Sequence, residues 1–259
     1  MIKILRQNNF SLVLSGGGAL GIAHVGLLKD LQKHTLIPSE IVGTSMGGII
    51  GACRAIGLNY HEILSILNEF STLTKWVKFS FSGNSIIDSS KIEKIFEKIF
   101  EDKKIKDTLI PLKLIATDLK SGEKKVFTKD DDIFIKDALL ATMAIPGIFS
   151  EKEIDGKIYA DGFLCENLGI LEATKEVILA VDVLGKNSFD SELPNNLIKT
   201  KNVIDMFEKS MRLLIYNQTN LIKNSIDKEL ILLEPDTKEF KTFYFHKVDE
   251  IFRVGENLL

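Results

Sequence analysis

The chain has 259 residues, of which 45% are hydrophobic and 27% are charged. This length allows one large α/β domain or two small ones, and the composition excludes a disordered, collagenous or coiled-coil chain. The 33 lysines and arginines nearly balance 36 acidic residues and leave a net charge of −3, so no basic field favours a nucleic-acid partner.

The chain start and the cysteines bear on location and metal binding. Gln7, Asn8 and Asn9 interrupt the apolar residues near the start, so we expect no secretory signal there. No apolar run approaches the roughly 18 to 20 residues of a membrane span. Cys53 and Cys165 have neither disulfide nor metal-ligand spacing and are interpreted as small buried apolar residues. We expect a cytoplasmic protein without a metal, with any membrane contact at its periphery.

The first predicted unit is a strand, a glycine turn and a helix. An apolar run at Phe10–Leu14 precedes Ser15-Gly16-Gly17-Gly18-Ala19-Leu20-Gly21, and apolar residues then recur at helical spacing as far as Leu31. Glycines leave successive backbone N–H groups unblocked at a helix N-terminus, where the helix dipole favours an anion. This turn therefore suits either a dinucleotide pyrophosphate or the oxyanion of an acyl-transfer intermediate.

The second predicted unit repeats this plan. Residues 41–43 form a short strand, residues 47–56 read as a buried helix, and Gly43-Thr44-Ser45-Met46-Gly47 between them matches G-x-S-x-G. A dinucleotide site would need an acidic residue at this strand end, so the stretch argues against that ligand. Ser45 in such a turn is either a helix cap or a nucleophile. The neighbouring glycine turn favours the nucleophile, because both turns lie on one edge of a parallel sheet.

The remaining elements complete an α/β pattern. Ser90–Phe100 has amphipathic helical spacing, and residues 202–228 resume a helical pattern before a strand at 229–234. Residues 112–117 and 177–183 are continuous apolar runs typical of strands buried on both faces. Residues 186–201 are polar and predict an exposed loop. The predicted fold class is α/β, with a mostly parallel central sheet flanked by helices on both faces.

A serine nucleophile needs a base, and the four histidines are the first candidates. His24 lies within the first long helix, where packing or a backbone hydrogen bond is its ordinary role. His34 and His61 lie in polar surroundings. His246 is the one histidine placed in chain order to end a Ser-Asp-His triad. The residue pattern alone leaves the base open.

The two glycine turns and Asp161-Gly162 together resemble the patatin-like phospholipase family, particularly its small bacterial members. Residues 116–119, 141–149 and 154–162 extend the resemblance over most of the chain. It implies a three-layer patatin-like fold and one acyl hydrolase domain over residues 1–259. It also assigns the nucleophile to Ser45 and the base to Asp161, without a histidine, and oxyanion binding to the backbone at Gly16, Gly17 and Gly18.

The resemblance implies hydrolysis of a lipid or related acyl ester, such as a phospholipid or lysophospholipid, without a metal or organic cofactor. A carboxylate is a feeble base near its ordinary pKa, but desolvation at a buried sheet edge would raise the pKa of Asp161. Asp118 and Asp155 are similar carboxylates that we interpret as structural. The pattern does not define the headgroup, the acyl length or the oligomeric state.

Two departures from the family pattern keep an alternative open. Leu20 stands where many relatives carry a basic residue, and Phe163 follows Asp161-Gly162 in place of glycine or alanine. A catalytically silent regulatory or interaction protein is therefore the competing interpretation.

Two segments have open alternatives. The aromatic segment with Trp76, Phe79 and Phe81 is interpreted as a core cluster, an acyl pocket or a membrane contact. Residues 203–226 are interpreted as core packing or a lid.

Overall fold

The computed structural model describes residues 1–74, 90–189 and 199–259, so the segment with Trp76, Phe79 and Phe81 lies outside the described residues. Its helices are α1 Ile2–Gln7, α2 Ala23–Lys33, α3 Ser45–Ala55, α4 Tyr60–Thr74, α5 Ser90–Phe100, α6 Ile135–Thr142, α7 Lys199–Lys223 and α8 Val248–Val254. Its strands are β1 Phe10–Leu14, β2 Glu40–Thr44, β3 Leu112–Asp118, β4 Lys124–Phe127, β5 Lys152–Ile154, β6 Lys157–Asp161, β7 Val177–Val181 and β8 Glu229–Leu233.

The described strands form one mixed sheet in the order β5-β6-β3-β2-β1-β7-β8, with β4 paired to β3. The five strands from β3 to β8 in this order are parallel, whereas β4, β5 and β6 extend the sheet in antiparallel fashion. This confirms the mostly parallel α/β sheet expected from the continuous apolar runs. Only the antiparallel extension was not predicted, since its short strands lack such runs.

Side chains of the central strands alternate between two apolar layers. On one face Leu12 and Leu14 join a large core under helices α2, α3, α6 and α8. On the other face Val13 joins a smaller core that is covered by residues 168–173 and by Ile222 of α7. The helices therefore cover both faces, as predicted, and the sheet edge between the layers is left to carry polar groups.

The predicted loop at residues 186–201 starts as a short 3-10 helix, Lys186–Ser188. Ser188 is buried there, and its carbonyl oxygen accepts a hydrogen bond from Arg212. Residues 190–198 of this loop lie outside the described residues. No helix in the described ranges is long and apolar enough to cross a membrane.

Candidate active site

Ser45 stands at the turn where β2 ends and α3 begins. Its φ is +52°, a left-handed conformation that costs an L-residue roughly 1 to 2 kcal/mol. Such strain is typical of a serine held at a nucleophile elbow. The backbone N–H of Ser45 donates to Thr142 Oγ1 at 2.9 Å, and the Thr142 hydroxyl donates in turn to the carbonyl oxygen of Ile115. This bridge fixes the strained turn to β3.

Gly47 allows the turn to approach the end of β1. A Cβ at this position would collide with the carbonyl oxygens of Leu14 and Ser15. Only glycine therefore fits here, and the first turn of α3 lies directly against the start of the other glycine turn. The G-x-S-x-G pattern is explained locally by this close approach.

Sheet register brings Asp161 to the same edge as Ser45. In the parallel pairing of β2 and β3, Thr44 lies opposite Ile115. In the antiparallel pairing of β3 and β6, the next residue, Ala116, lies opposite Asp161. The last residue of β6 therefore reaches the level at which β2 passes into α3. Two residues 116 positions apart in the chain meet because β6 runs antiparallel to its neighbour.

The Asp161 carboxylate is fully buried and only partly bonded. Oδ1 accepts a hydrogen bond from the Phe163 backbone N–H at 3.0 Å, whereas Oδ2 has no partner among the described residues. Burial raises the pKa of Asp161 to about 7, against the lowering effects of the Ser45 hydroxyl and the Phe163 N–H. A carboxyl group with this pKa can accept and return a proton near neutral pH.

The glycine turn lies beside the serine. A Cβ on Gly16 would come within 3.2 Å of the Ser45 Cβ. The Gly16 N–H donates to the Asn167 carbonyl oxygen at 3.2 Å and is therefore not free to bind an oxyanion. The Gly17 and Gly18 N–H groups donate no such hydrogen bond among the described residues. Gly18 has a φ of +55°. The turn thus presents two adjacent amides at the start of the 3-10 helix Gly18–Ile22.

A narrow apolar cleft leads to Ser45. Among the described residues its lining contains Gly18 and Ser45, and the others are hydrophobic: Met46, Ile49, Met143, Ile145, Phe149, Phe243 and Phe245. Sequence reasoning missed the last two residues, because they lie about 200 positions from Ser45 and have no motif of their own. The signal available was the aromatic cluster around His246.

The histidines occupy ordinary positions. His24 is fully buried and its Nε2 donates to the Ser15 carbonyl oxygen at 2.9 Å, while burial lowers its pKa to about 4. This confirms its predicted backbone contact. The His246 ring lies beside the Tyr244 ring, with centroids 5.2 Å apart and an angle of 51° between the ring planes, and His246 is not among the described residues that line the cleft.

The two residues that depart from the family pattern lie away from the cleft. Leu20 is fully buried in the large core, and Phe163 packs against that core without lining the cleft. Neither side chain blocks access to Ser45. The interpretation of α7 as a lid finds no support in the lining either, since none of the α7 side chains that the structure describes lies along the cleft.

The prediction that both cysteines are buried is correct for Cys53 and wrong for Cys165. Cys53 lies in the core, and burial raises the pKa of its thiol to about 12. Cys165 is half-buried, because its thiol reaches the carbonyl oxygen of Gly122 at the protein surface. Within the described ranges no group of three His, Cys, Asp or Glu side chains could hold a metal ion.

Comparison with known proteins shows the family to which the chain belongs. The family model described as patatin-like phospholipase matches residues 12–174, more than half of the chain. The matched region contains both glycine turns, Ser45 and Asp161. The chain belongs to the patatin-like phospholipase family, which confirms the resemblance and the patatin-like α/β fold expected from the sequence.

Curated relatives of this chain are much longer proteins. It is 27% identical over 289 residues to lysophospholipase NTE1 of Debaryomyces hansenii, covering 100% of this chain and 18% of that protein. It is 27% identical over 283 residues to human patatin-like phospholipase domain-containing protein 6, covering 98% and 20%. The chain thus spans about a fifth of these relatives. Among solved structures, VipD from Legionella pneumophila aligns over 97% of this chain and 66% of its own, with 14% identity and a TM-score of 0.46.

Proposed function

We propose that this chain is a serine acyl hydrolase that cleaves carboxylic esters of phospholipids or lysophospholipids, as one domain over residues 1–259 acting from the cytoplasm. The observation that carries the proposal is the buried Asp161 carboxylate, with an unbonded Oδ2 and a pKa of about 7, at the sheet edge that holds the strained Ser45. Membership of the patatin-like phospholipase family and the similarity to a lysophospholipase support the substrate class.

In the proposed reaction Ser45 Oγ attacks the ester carbonyl carbon while its proton passes to the Asp161 carboxylate. The carbonyl oxygen becomes an oxyanion, which the Gly17 and Gly18 amides and the positive end of the following helix stabilise. Collapse breaks the ester bond, and the leaving alcohol takes the proton from Asp161. Water, deprotonated by Asp161, then attacks the carbonyl carbon of the acyl-serine. The bond from this carbon to Ser45 Oγ breaks, Ser45 takes the proton back from Asp161, and the fatty acid is released.

The apolar cleft supports an acyl substrate. Apart from Gly18 and Ser45, the described residues that line the cleft are hydrophobic, which suits the acyl chain of an ester, and none of them carries a charge that would recognise a polar headgroup. Among the described residues the site thus has one polar end, formed by Ser45, Asp161 and the glycine turn, and one apolar end. This division matches the two ends of a lipid ester.

The experiment is release of p-nitrophenol from a medium-chain ester by the purified protein, with Ser45→Ala as control for contaminating esterases. We expect release by the wild type and a loss of at least about a thousandfold in the variant. A fluorophosphonate probe should label Ser45 and leave Ser45→Ala unlabelled. Equal, negligible release and no labelling of either protein would instead support the catalytically silent alternative.

A further inference from the structure

Helix α7 presents an uncharged apolar face to solvent. The α7 outer face consists of six side chains that are between 40% and 76% exposed: Val203, Met206, Phe207, Leu213, Leu214 and Leu221. The other exposed residues of the helix, where its side chains are described, are Ser210 and Asn217. A surface helix ordinarily exposes its charges and buries its apolar stripe. Here the pattern is reversed.

Three charged side chains in the middle of α7, Asp205, Glu208 and Arg212, turn towards the protein instead. Arg212 is 7% exposed and donates to the carbonyl oxygens of Ser188 and Phe240 at 3.1 and 2.9 Å. It also pairs with Glu208 at 2.7 Å, and Asp205 pairs with Lys241. These buried and half-buried contacts fix the rotation of the helix. The apolar face is therefore held outward by the fold.

The α7 outer face is large and continuous. Phe207, Leu214 and Leu221 recur at intervals of seven residues, as do Met206 and Leu213, so they stay on one side of the helix. Their exposed apolar area is on the order of 600 Å², the upper end of the largest patch on an ordinary soluble monomer. Patches of this size are characteristic of interaction surfaces.

The same turns of α7 hold one wall of the catalytic cleft. Glu208 Oε1 accepts hydrogen bonds from the backbone N–H and the hydroxyl of Thr242, at 2.7 and 2.8 Å. The carbonyl oxygen of Thr242 accepts a bond from the Ala19 N–H in the glycine turn, at 2.8 Å. The next residue, Phe243, lines the cleft and is 45% exposed. One short segment, Thr242 and Phe243, therefore joins the inward side of α7 to the cleft.

We propose that the α7 outer face docks the protein onto a phospholipid bilayer, with Phe243 and the mouth of the cleft next to the lipid. The face carries no described charge that would recruit anionic headgroups, so apolar burial in a zwitterionic interface is its mode of binding. This docking proposal rests on the proposed function in one respect: the ester to be cleaved lies in the bilayer, so bilayer binding brings the cleft to its substrate.

The test is co-sedimentation with phosphatidylcholine vesicles in about 0.5 M salt, which screens electrostatic attraction. We expect the wild type to bind and Phe207→Glu/Leu214→Glu to bind at least about tenfold more weakly. The matched control is Ile37→Glu/Leu109→Glu, because these residues are 64% and 76% exposed outside α7. This control should bind like the wild type, and all three proteins should show the same thermal melting.

Two further readouts separate the outcomes. Ser45→Ala should bind vesicles normally, because it changes the nucleophile and leaves the α7 outer face unchanged. A wild type that binds vesicles but hydrolyses no ester would refute the proposed function and leave docking intact. The α7 double variant should hydrolyse a soluble ester at the wild-type rate but lose hydrolysis of vesicle lipid. Docking is overturned if the wild type stays in solution, or if light scattering shows that it is a dimer that the α7 variant converts to a non-binding monomer.

Discussion

Two pockets of this protein hold nearby carboxylates in different ways. One is the Ser45 cleft, with Asp161 beside it, and the other is a larger pocket at the antiparallel end of the sheet. The larger pocket has a volume of about 450 Å³ and is lined by Asp131, Asp132, Lys125 and Lys157, among others. Asp131 accepts bonds from Lys125 at 2.5 Å and from the Thr128 N–H at 2.8 Å. In the smaller Ser45 cleft, the neighbouring Asp161 has no cationic partner among the described residues.

The two pockets therefore have opposite electrostatics. Partial burial raises the pKa of Asp131, but bonds from Lys125 and Thr128 outweigh it and hold the pKa below its ordinary value. Hydrogen bonds from Lys104 and Lys106 lower the pKa of Asp132 to about 2. Paired carboxylates of this kind are permanently ionised and poor bases at neutral pH. Pocket size does not identify the chemistry here, whereas an unpaired buried carboxylate beside the strained Ser45 does.

The largest expected effect comes from removing the Asp161 carboxylate, and removal of the Asp131 carboxylate is the comparison. Asp161→Asn should lower kcat/KM for a soluble ester at least about a thousandfold, because the amide cannot take the Ser45 proton. Asp131→Asn should retain activity within about twofold, since it breaks only a half-exposed pair with Lys125. Steady-state kinetics of both purified variants provide the measurement. Comparable losses in the two would erase the distinction between the pockets.

The pH dependence of the wild type should report the pKa of Asp161. The base is the ionised form, so kcat/KM should rise about tenfold per pH unit below pH 7 and level off above it. Asp182 is a second buried carboxyl whose pKa burial raises, to about 6. Asp182→Asn is therefore the control and should keep the inflection near pH 7. A profile that follows Asp182, or one without an inflection, would contradict the assignment.

The raised pKa of Asp161 also predicts how protein stability depends on pH. Activity needs the ionised carboxylate, whereas the folded state is more stable when the carboxyl is protonated. The folded-state pKa of Asp161 lies above its ordinary value of 3.8, so its stabilising contribution is complete below about pH 4 and is lost as the pH rises through 7. Asp161→Asn should therefore melt at a higher temperature than the wild type at pH 8, and the difference should shrink at pH 5. Thermal melts at the two pH values measure it. A variant that is less stable at pH 8 would show that the buried charge is well compensated.

The sequence predicted the parallel strands well because each carries its own local signal. β1, β3 and β7 are largely apolar runs, and burial on both faces produces that pattern. The position of Asp161 has no such signal, since Asp-Gly is also an ordinary turn. It was identified only through the family resemblance. Its burial and its raised pKa depend on the antiparallel register of β6, which no local pattern encodes.

Features that depend on distant contacts escaped sequence reasoning. The helical spacing of residues 202–228 predicted α7, but the apolar residues could have faced the core equally well. Their outward direction depends on Arg212 and Glu208, which reach backbone and side-chain groups about 24 to 34 residues away. The aromatic wall at Phe243 and Phe245 depends on the same contacts. Periodicity identifies an element, and tertiary contacts decide which side of it is buried.

The smallest effect concerns Thr142, which no sequence motif marked as functional. Its hydroxyl bridges the Ser45 N–H and the Ile115 carbonyl oxygen, so Thr142→Val leaves two buried backbone groups unpaired and should cost about 1 to 3 kcal/mol of stability. Thr219→Val is the matched control. Thr219 is 1% exposed and its hydroxyl has no partner among the described residues, so the change should be neutral or slightly stabilising.

Urea unfolding of both valine variants measures the stability difference, and ester hydrolysis measures its consequence at the site. Thr142→Val should also lower kcat by about tenfold, because its hydroxyl anchors the strained backbone of Ser45, while Thr219→Val should not. A Thr142→Val protein with wild-type stability and rate would mean that the turn is held by Gly47 packing alone. The strain at Ser45 would then be maintained by close packing of α3 against β1, without a contribution from the hydrogen bond to α6.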